Sequence, residues 1–428
     1  MVAQSAAIRF TGVPWTVPSS LRICVVSNYY PPHFLGGYEL GCRDIVEALK
    51  SRGHQVKVLT STYKVETPQD DGQVYRRLRI GDWWTPNSLG GLRAVLKKEI
   101  ANRKAFRQLC SDFYPYLIYV WNPVGLSLSL VSELDLPVCY FVSDHWLADW
   151  EADSGYQMWQ QQQRHPLWKA ILSLALKLNV IHRPSSPNLR YVQFASDFLK
   201  QEALSKGKPV SDAAVIHWGV DLEKYHYRET SKCSERLLYV GHIAPHKGVH
   251  TVIEALKLLV QAGHKEATLT IAGGSIVPEY EAQVRQMVSS FQLDEQVRFT
   301  GQLSRERLPS IYQEHDVLIF PSIWDEPFSI TVVEAMASGL AVVGTPTGGS
   351  KEIFVDDVNA LVFPKEDAEA CAAGIRRLFT DERLFQEIRR RGRDTVERRF
   401  QLEQMVDTIE RSLIEAVSNS FNTSEDAV

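Results

Sequence analysis

The chain has 428 residues, more than one ordinary core accommodates, so two domains are expected. Apolar residues make up 44% and charged residues 23%, a soluble globular balance, and a net charge of −4 argues against nucleic acid as the main partner. Cys24, Cys42, Cys110, Cys139, Cys233 and Cys371 are scattered without a C-x-x-C pair, which argues against a zinc site or a disulfide framework and fits a reducing cytoplasm.

Residues 1–20 lack the basic start and apolar run of a signal peptide and read as a flexible lead-in. No apolar run is long enough for a transmembrane helix. Short apolar strands then alternate with amphipathic helices. The first half gives strands at Arg22–Ser27, Gln55–Thr60, Leu117–Trp121, Val138–Ser143, Tyr191–Ala195 and Ala214–His217. Leu40, Ile45, Val46 and Leu49 give Tyr38–Ser51 a helical face, closed by Gly53. The second half gives strands at Leu237–Gly241, Leu269–Ala272, Val297–Thr300, Val317–Phe320, Leu340–Val343 and Ala360–Phe363. Helices are expected near Val249–Ala262, Pro278–Phe291 and Arg305–Glu314.

Strand–helix alternation implies parallel sheets. Two such runs imply an α/β protein of two Rossmann-like domains, residues 21–220 and 221–400, facing across a central cleft. Residues 401–428 are expected to form a helix packing back toward the first domain, followed by a frayed tail.

Five segments carry candidate chemistry. Gly36-Gly37 stands between the first strand and its helix, where glycines let backbone approach a ligand or simply form a flexible loop. The pattern is not G-x-G-x-x-G, so a dinucleotide fingerprint is absent. Ser143-Asp144-His145-Trp146 ends a strand, the place where polar groups line a ligand crevice. His145 could act as a base oriented by Asp144, or be a locally bonded core-edge histidine. Tyr156–Ile181 mixes Trp159, Trp168 and leucines with Arg164, Lys169 and Lys177, and Leu92–Ile100 carries Arg93, Lys97 and Lys98. Each reads as a helix packed on its own domain or as a basic face touching a membrane.

Gly241-His-Ile-Ala-Pro-His-Lys247-Gly248 follows the first strand of the second half. Its Lys247 ammonium is a compact charge suited to a diphosphate, or part of a plain Lys-Gly turn. His242 and His246 lack a third ligand for a metal. The richest stretch is FPSIWDEPFSITVVEAMASGLAVVGTPTGGSKE, residues 320–352. A strand runs into a loop with Asp325 and Glu326, then a helix beginning near Ser329 with Glu334 in its second turn. A helix N-terminus binds phosphate, and carboxylates accept hydrogen bonds from sugar hydroxyls. Diphosphate and sugar in one place suggest a nucleotide-sugar. The plainer readings are a solvated loop carboxylate at Glu326 and a dipole-stabilising one at Glu334.

In this order the segments resemble glycosyltransferase family 4, retaining transferases of the GT-B fold. Glu326 and Glu334 resemble the family's E-x7-E signature, and Gly241–Gly248 its G-R-x-x-x-x-K-G segment. Pro31–Gly37 resembles its PP-x-x-x-GG loop. VIHWGVDLEKY (215–225) resembles the segment between its domains, and FASDFLK (194–200) its S-x-x-l segment. The resemblance covers roughly Arg22 to Phe400. It implies that Gly36-Gly37 lies over the donor phosphates and that Lys247 neutralises the diphosphate. Glu326 would sit by the donor sugar, and Glu334 would hold the ribose hydroxyls. The N–H groups of Phe328, Ser329 and Ile330 would cradle the distal phosphate, with Thr347, Gly348 and Gly349 close by.

Three positions depart from the pattern. His242 stands where the family usually has arginine, so either Lys247 carries most of the charge or His242 must be protonated to help. Activity is then expected to weaken as pH rises through the histidine range. Ser329 replaces a common glycine. Ser143 stands where relatives often have histidine before the aspartate, which makes His145 the base candidate.

The resemblance implies a retaining transferase moving a sugar from a UDP- or GDP-sugar to a hydroxyl of a glycan or glycolipid, in surface polysaccharide biosynthesis. No cofactor and no metal are expected, because no Asp-x-Asp clamp stands in a suitable place. The expected location is cytoplasmic, with peripheral contact at the inner membrane face as an option. A non-catalytic binding or scaffold subunit and a sugar-nucleotide epimerase on the same fold are the alternatives. A phosphorylase would need a pyridoxal phosphate lysine, for which no motif is present.

Overall fold

The computed structural model describes residues 18–65, 69–80, 89–126, 128–149, 166–177, 187–230 and 232–425. These fall into two compact units. One holds the residues up to Phe194, Leu199–Ile216 and those from Val406 on; the other holds Ala195–Phe198 and His217–Met405.

The first unit is built on strands β1 (Arg22–Ser27), β2 (Gln55–Ser61), β3 (Gln69–Asp70), β4 (Val74–Leu78), β5 (Leu117–Asn122), β6 (Val138–Val142), β7 (Tyr191–Phe194) and β8 (Ala214–Val215). They form one sheet in the order β3-β4-β2-β1-β5-β6-β7-β8, parallel throughout except for the β3–β4 pair. β1 and β5 are buried almost end to end, as strands covered on both faces must be. Helices α1 (Gly37–Ser51), α2 (Leu89–Phe113) and α3 (Pro166–Lys177) belong to this unit. Helix α4 (Asp197–Ser205) begins in the other unit and continues here from Leu199.

The β3–β4 edge was not expected from sequence. Its Val-Tyr-Arg-Arg-Leu strand looks polar, yet Arg76 is buried and donates to the Tyr30 and Pro31 carbonyls. The expected strand over Ala214–His217 is shorter, ending at Val215. The expected stop of α1 is present. Gly53 takes φ +91°, and the N–H groups of Gly53 and His54 return to the Lys50 and Leu49 carbonyls.

The second unit carries β9 (Arg236–Val240), β10 (Thr268–Ala272), β11 (Val297–Gly301), β12 (Val317–Phe320), β13 (Ala341–Gly344) and β14 (Leu361–Val362). Its sheet is parallel in the order β11-β10-β9-β12-β13-β14. The helices are α5 (Val249–Gln261), α6 (Pro278–Ser290), α7 (Leu308–Glu314), α8 (Ile330–Ala337), α9 (Ala368–Thr380) and α10 (Glu382–Arg399). Leu237, Ile271, Ile319 and Val343 of the sheet pack with Val252, Leu256, Ile375 and Ile388 of the helices in one apolar core. Renumbered within the unit, the order is 3-2-1-4-5-6, the doubly wound order whose ligand crevice opens at the carboxyl ends of strands 1 and 4. Those strands are β9 and β12.

Helix α11 (Leu402–Glu425) starts in the second unit and belongs to the first from Val406. There Glu410 faces His54 Nε2 at 2.7 Å and Arg52 at 2.5 Å. His54 Nδ1 accepts from the Leu21 N–H, which leaves Nε2 to donate to Glu410. Among the described residues no helix is long and apolar enough to cross a membrane.

Candidate active site

Both loops at the switch point of the second sheet carry charged side chains. After β9 the chain makes a short 3-10 turn, Pro245–Lys247, and enters α5 through Gly248. Gly248 has φ +68°, and a methyl group there would lie 2.1 Å from the Pro321 carbonyl oxygen. Only glycine lets this loop press against the end of β12. The Ile323 and Trp324 N–H groups donate to the His246 carbonyl at 3.0 and 3.2 Å, which ties the two loops together.

That tie brings Lys247 onto Glu326. The ammonium lies 2.6 Å from Glu326 Oε1, which also accepts from Ser322 Oγ at 2.6 Å. Glu326 is buried, and Lys247 sits 5.3 Å over the Trp324 ring. A buried carboxylate needs such partners to remain charged. His246 meets Trp324 edge-on at 5.7 Å.

Helix α8 begins at Ser329, whose hydroxyl accepts from the Val332 N–H at 3.4 Å. No hydrogen bond from the N–H groups of Phe328, Ser329 or Ile330 is formed among the described residues. Five residues into α8, the buried Glu334 accepts from Tyr225 Oη at 2.6 Å and Tyr312 Oη at 3.0 Å. Gly348 and Gly349 pack on the Glu326 segment. The Gly349 N–H donates to the Glu326 carbonyl at 2.6 Å, and the Gly348 N–H donates to Asp325 Oδ1 at 3.2 Å. A methyl group on Gly349 would lie 2.1 Å from the Pro327 carbonyl oxygen.

The second unit thus gathers His242, Lys247, Glu326, Phe328, Ser329, Ile330, Glu334, Gly348 and Gly349 around the ends of β9 and β12. Ser322 and Trp324 are additions from the same stretch of sequence. Tyr225 and Tyr312 are additions that nothing in the sequence singled out. His242 is held below the ordinary histidine range by burial first, then by Lys247 and His246, with Glu326 opposing. His246 is lowered by burial and Lys247. Both rings are pushed toward neutrality, which favours the first of the two expectations for His242, that Lys247 carries most of the charge.

The first unit has its own polar group at the ends of β1 and β6. Glu39, in the first turn of α1, accepts from the Gly36 N–H at 2.9 Å. Burial, reinforced by Asp144, pushes Glu39 up to about 7. Asp144 does not orient the His145 ring as expected. Its carboxylate accepts from the His145 backbone N–H at 2.5 Å, starting a short 3-10 turn. The imidazole Nδ1 instead lies 2.7 Å from Glu202 on α4. Glu202 lies 57 residues away and has no sequence signal of its own. Burial raises Asp144 above the usual carboxylate value.

Trp83, Trp84, Trp150 and Trp159 lie outside the described residues, as does the side chain of Trp168. Among the described residues no three His, Cys, Asp or Glu side chains are grouped to hold a metal ion.

Residues 227–395 match the family model of glycosyl transferases group 1, and residues 36–185 match that of the glycosyl transferase 4-like domain. The chain belongs to the group 1 glycosyltransferases. The two matches lie on the two units, and Lys247, Glu326 and Glu334 fall within the match at residues 227–395, in the second unit. This glycosyltransferase is 23% identical to an uncharacterized glycosyltransferase of Methanocaldococcus jannaschii, over 84% of this chain and 90% of that one. Its fold resembles that of sucrose-phosphate synthase from Thermosynechococcus elongatus, with TM-score 0.70 and 20% identity over 92% of this chain and 100% of that one. It also resembles an Anabaena protein solved in complex with UDP-glucose, with TM-score 0.65 and 20% identity over 92% of this chain and 99% of that one. The fold is GT-B, and the protein is a glycosyltransferase.

Proposed function

We propose that this glycosyltransferase moves a sugar, with retention of anomeric configuration and without a metal, from a UDP- or GDP-sugar to a hydroxyl of a glycan or glycolipid acceptor. Surface polysaccharide assembly at the cytoplasmic face is the setting this reading gives it, and any membrane contact would be peripheral. The observation that carries the reading is the Lys247–Glu326 pair, 2.6 Å apart, beside the N-terminus of α8. An ammonium and a helix N-terminus favour a diphosphate, and the Glu326 carboxylate suits a sugar hydroxyl. The Anabaena neighbour solved with UDP-glucose supports placing UDP-sugars first among the donors.

No side chain is assigned the role of a covalent nucleophile. In the proposed same-face step the bond from the anomeric carbon to the departing phosphate oxygen breaks as the sugar becomes oxocarbenium-like. The acceptor oxygen then bonds to that carbon, and its proton passes to the departing diphosphate. Lys247 and the α8 N–H groups stabilise the negative charge that develops on the leaving group. His145, oriented by Glu202, is the proposed helper on the acceptor side.

Product anomers read by NMR, with and without EDTA, test this. The expected result is one anomer, of the donor's configuration, at a rate unchanged by EDTA. An inverted product, or activity abolished by EDTA and restored by Mn²⁺, would overturn the corresponding part. Interconversion of donor sugars without release of nucleoside diphosphate would indicate an epimerase instead.

A further inference from the structure

Glu352 ends the short 3-10 turn Gly348–Glu352, directly after the glycines that pack on the Glu326 segment. Its carboxylate gathers three donors. Oε2 lies 2.7 Å from His217 Nε2 and accepts from the Asp197 N–H at 3.0 Å. Oε1 accepts from the Phe198 N–H at 2.9 Å. Burial raises the carboxyl, but the bonds from His217, Phe198 and Asp197 outweigh it and hold the group below the usual glutamate value. Glu352 is thus a fixed anion.

The His217 ring passes that fixed position onward. It lies against Phe328, with centroids 5.6 Å apart and planes tilted by 34°, and meets Phe400 edge-on at 5.5 Å. Phe328 and Phe400 also meet edge-on at 5.6 Å. Phe328 precedes the Ser329 cap of α8. The turn therefore grips the Glu326–Ser329 segment twice. One grip is direct, through the Gly349 N–H on the Glu326 carbonyl. The other runs through Glu352, His217 and Phe328. A purely structural role as a cap for α4 accounts for the bonds to Asp197 and Phe198. It leaves unexplained why the remaining donor is a histidine whose face carries Phe328.

We propose that Glu352 is a positioning residue for the backbone that receives the distal phosphate of the donor, acting through His217 and Phe328. The proposal rests on the donor-site reading given above. Its consequence is selective: a nucleoside monophosphate lacks the phosphate that this backbone would hold, so loss of Glu352 weakens diphosphate binding and spares monophosphate binding.

The test is calorimetric titration of the full chain with UDP and UMP, and with GDP and GMP, for wild type, Glu352→Ala, Glu352→Gln and His217→Leu. Thermal melts accompany each protein. For Glu352→Ala the diphosphate dissociation constant is expected to rise about tenfold, the loss of one hydrogen bond to a charged group. The monophosphate constant should stay within about twofold, because its single phosphate does not reach this backbone. Glu352→Gln keeps an acceptor and should recover part of the loss. His217→Leu keeps bulk beside Phe328 but removes the link, and should show the same selectivity; it carries the test if Glu352→Ala does not fold. Equal weakening of diphosphate and monophosphate, or unchanged binding of both, would overturn the proposal. Failure of wild type to bind any of the four nucleotides would instead overturn the donor-site reading beneath it.

Discussion

His242 shows how strongly surroundings decide what a side chain can do. From sequence it stands in place of an arginine, and a charged ring would compensate. In the structure, burial and the neighbouring Lys247 and His246 push its pKa below 6.5. The free ring is therefore pushed toward its neutral form, and Lys247 offers a phosphate a partner that does not depend on this ring. A bound diphosphate would favour the protonated ring, so donor binding takes up a proton where the free ring is neutral and the bound ring is charged. Affinity for a nucleotide sugar is thus expected to strengthen as pH falls through the pKa of the donor-bound ring, and to level off once the free ring is itself charged. His242→Ala should flatten the low-pH limb, with His246→Ala as the control for the second lowered histidine. A limb that persists in His242→Ala shows that this ring does not meet the phosphate. The sequence made Lys247, Glu326 and Glu334 visible because they stand at strand and helix ends, in spacings that resemble a known family. It hid Glu202, Tyr225, Tyr312 and Glu352, whose partners arrive from distant parts of the chain.

At the scale of the element, the strands that support the site depend on a buried acid. Asp316, just before β12, is fully buried and bonds Arg228 at 2.5 Å and Arg236 at 3.1 Å. It also accepts from the Ser234 and Arg236 N–H groups, which pins the start of β9 beside β12. Burial raises its pKa, but the two arginines outweigh that and hold it below 3.8. Its stabilising contribution is therefore full above pH 3.8 and is lost as pH falls through the depressed folded value. Asp316→Ala leaves two guanidinium groups without their acid, and is expected to cost about 3 kcal/mol by chemical denaturation. A loss below about 1 kcal/mol would mean that the network behaves like a solvated surface pair. The central strands were legible because Val317–Phe320 and Leu117–Trp121 are apolar runs bounded by turns. The β3–β4 edge was not, because Arg76 uses its charge on buried carbonyls and breaks the apolar pattern.

At the scale of the molecule, both units arrange their parallel sheets in the same doubly wound order, apart from the added edge strands of the first. Strand–helix alternation foretold the parallel sheets, but strand order was not readable, since it depends on where each crossover lands. That order is what turns two loops seventy-nine residues apart into one site, Lys247 after β9 and Glu326 after β12. Whether the site performs sugar transfer is decided most directly by release of nucleoside diphosphate from a panel of UDP-, GDP- and ADP-sugars, with wild type beside Lys247→Ala and Glu326→Ala. Wild type is expected to turn over one donor. Lys247→Ala should lose about 2–4 kcal/mol of transition-state stabilisation, as for removal of one preorganised donor, and Glu326→Ala a comparable amount. Full turnover by both variants, folded and with unchanged donor KM, would show that this pair does not serve the reaction.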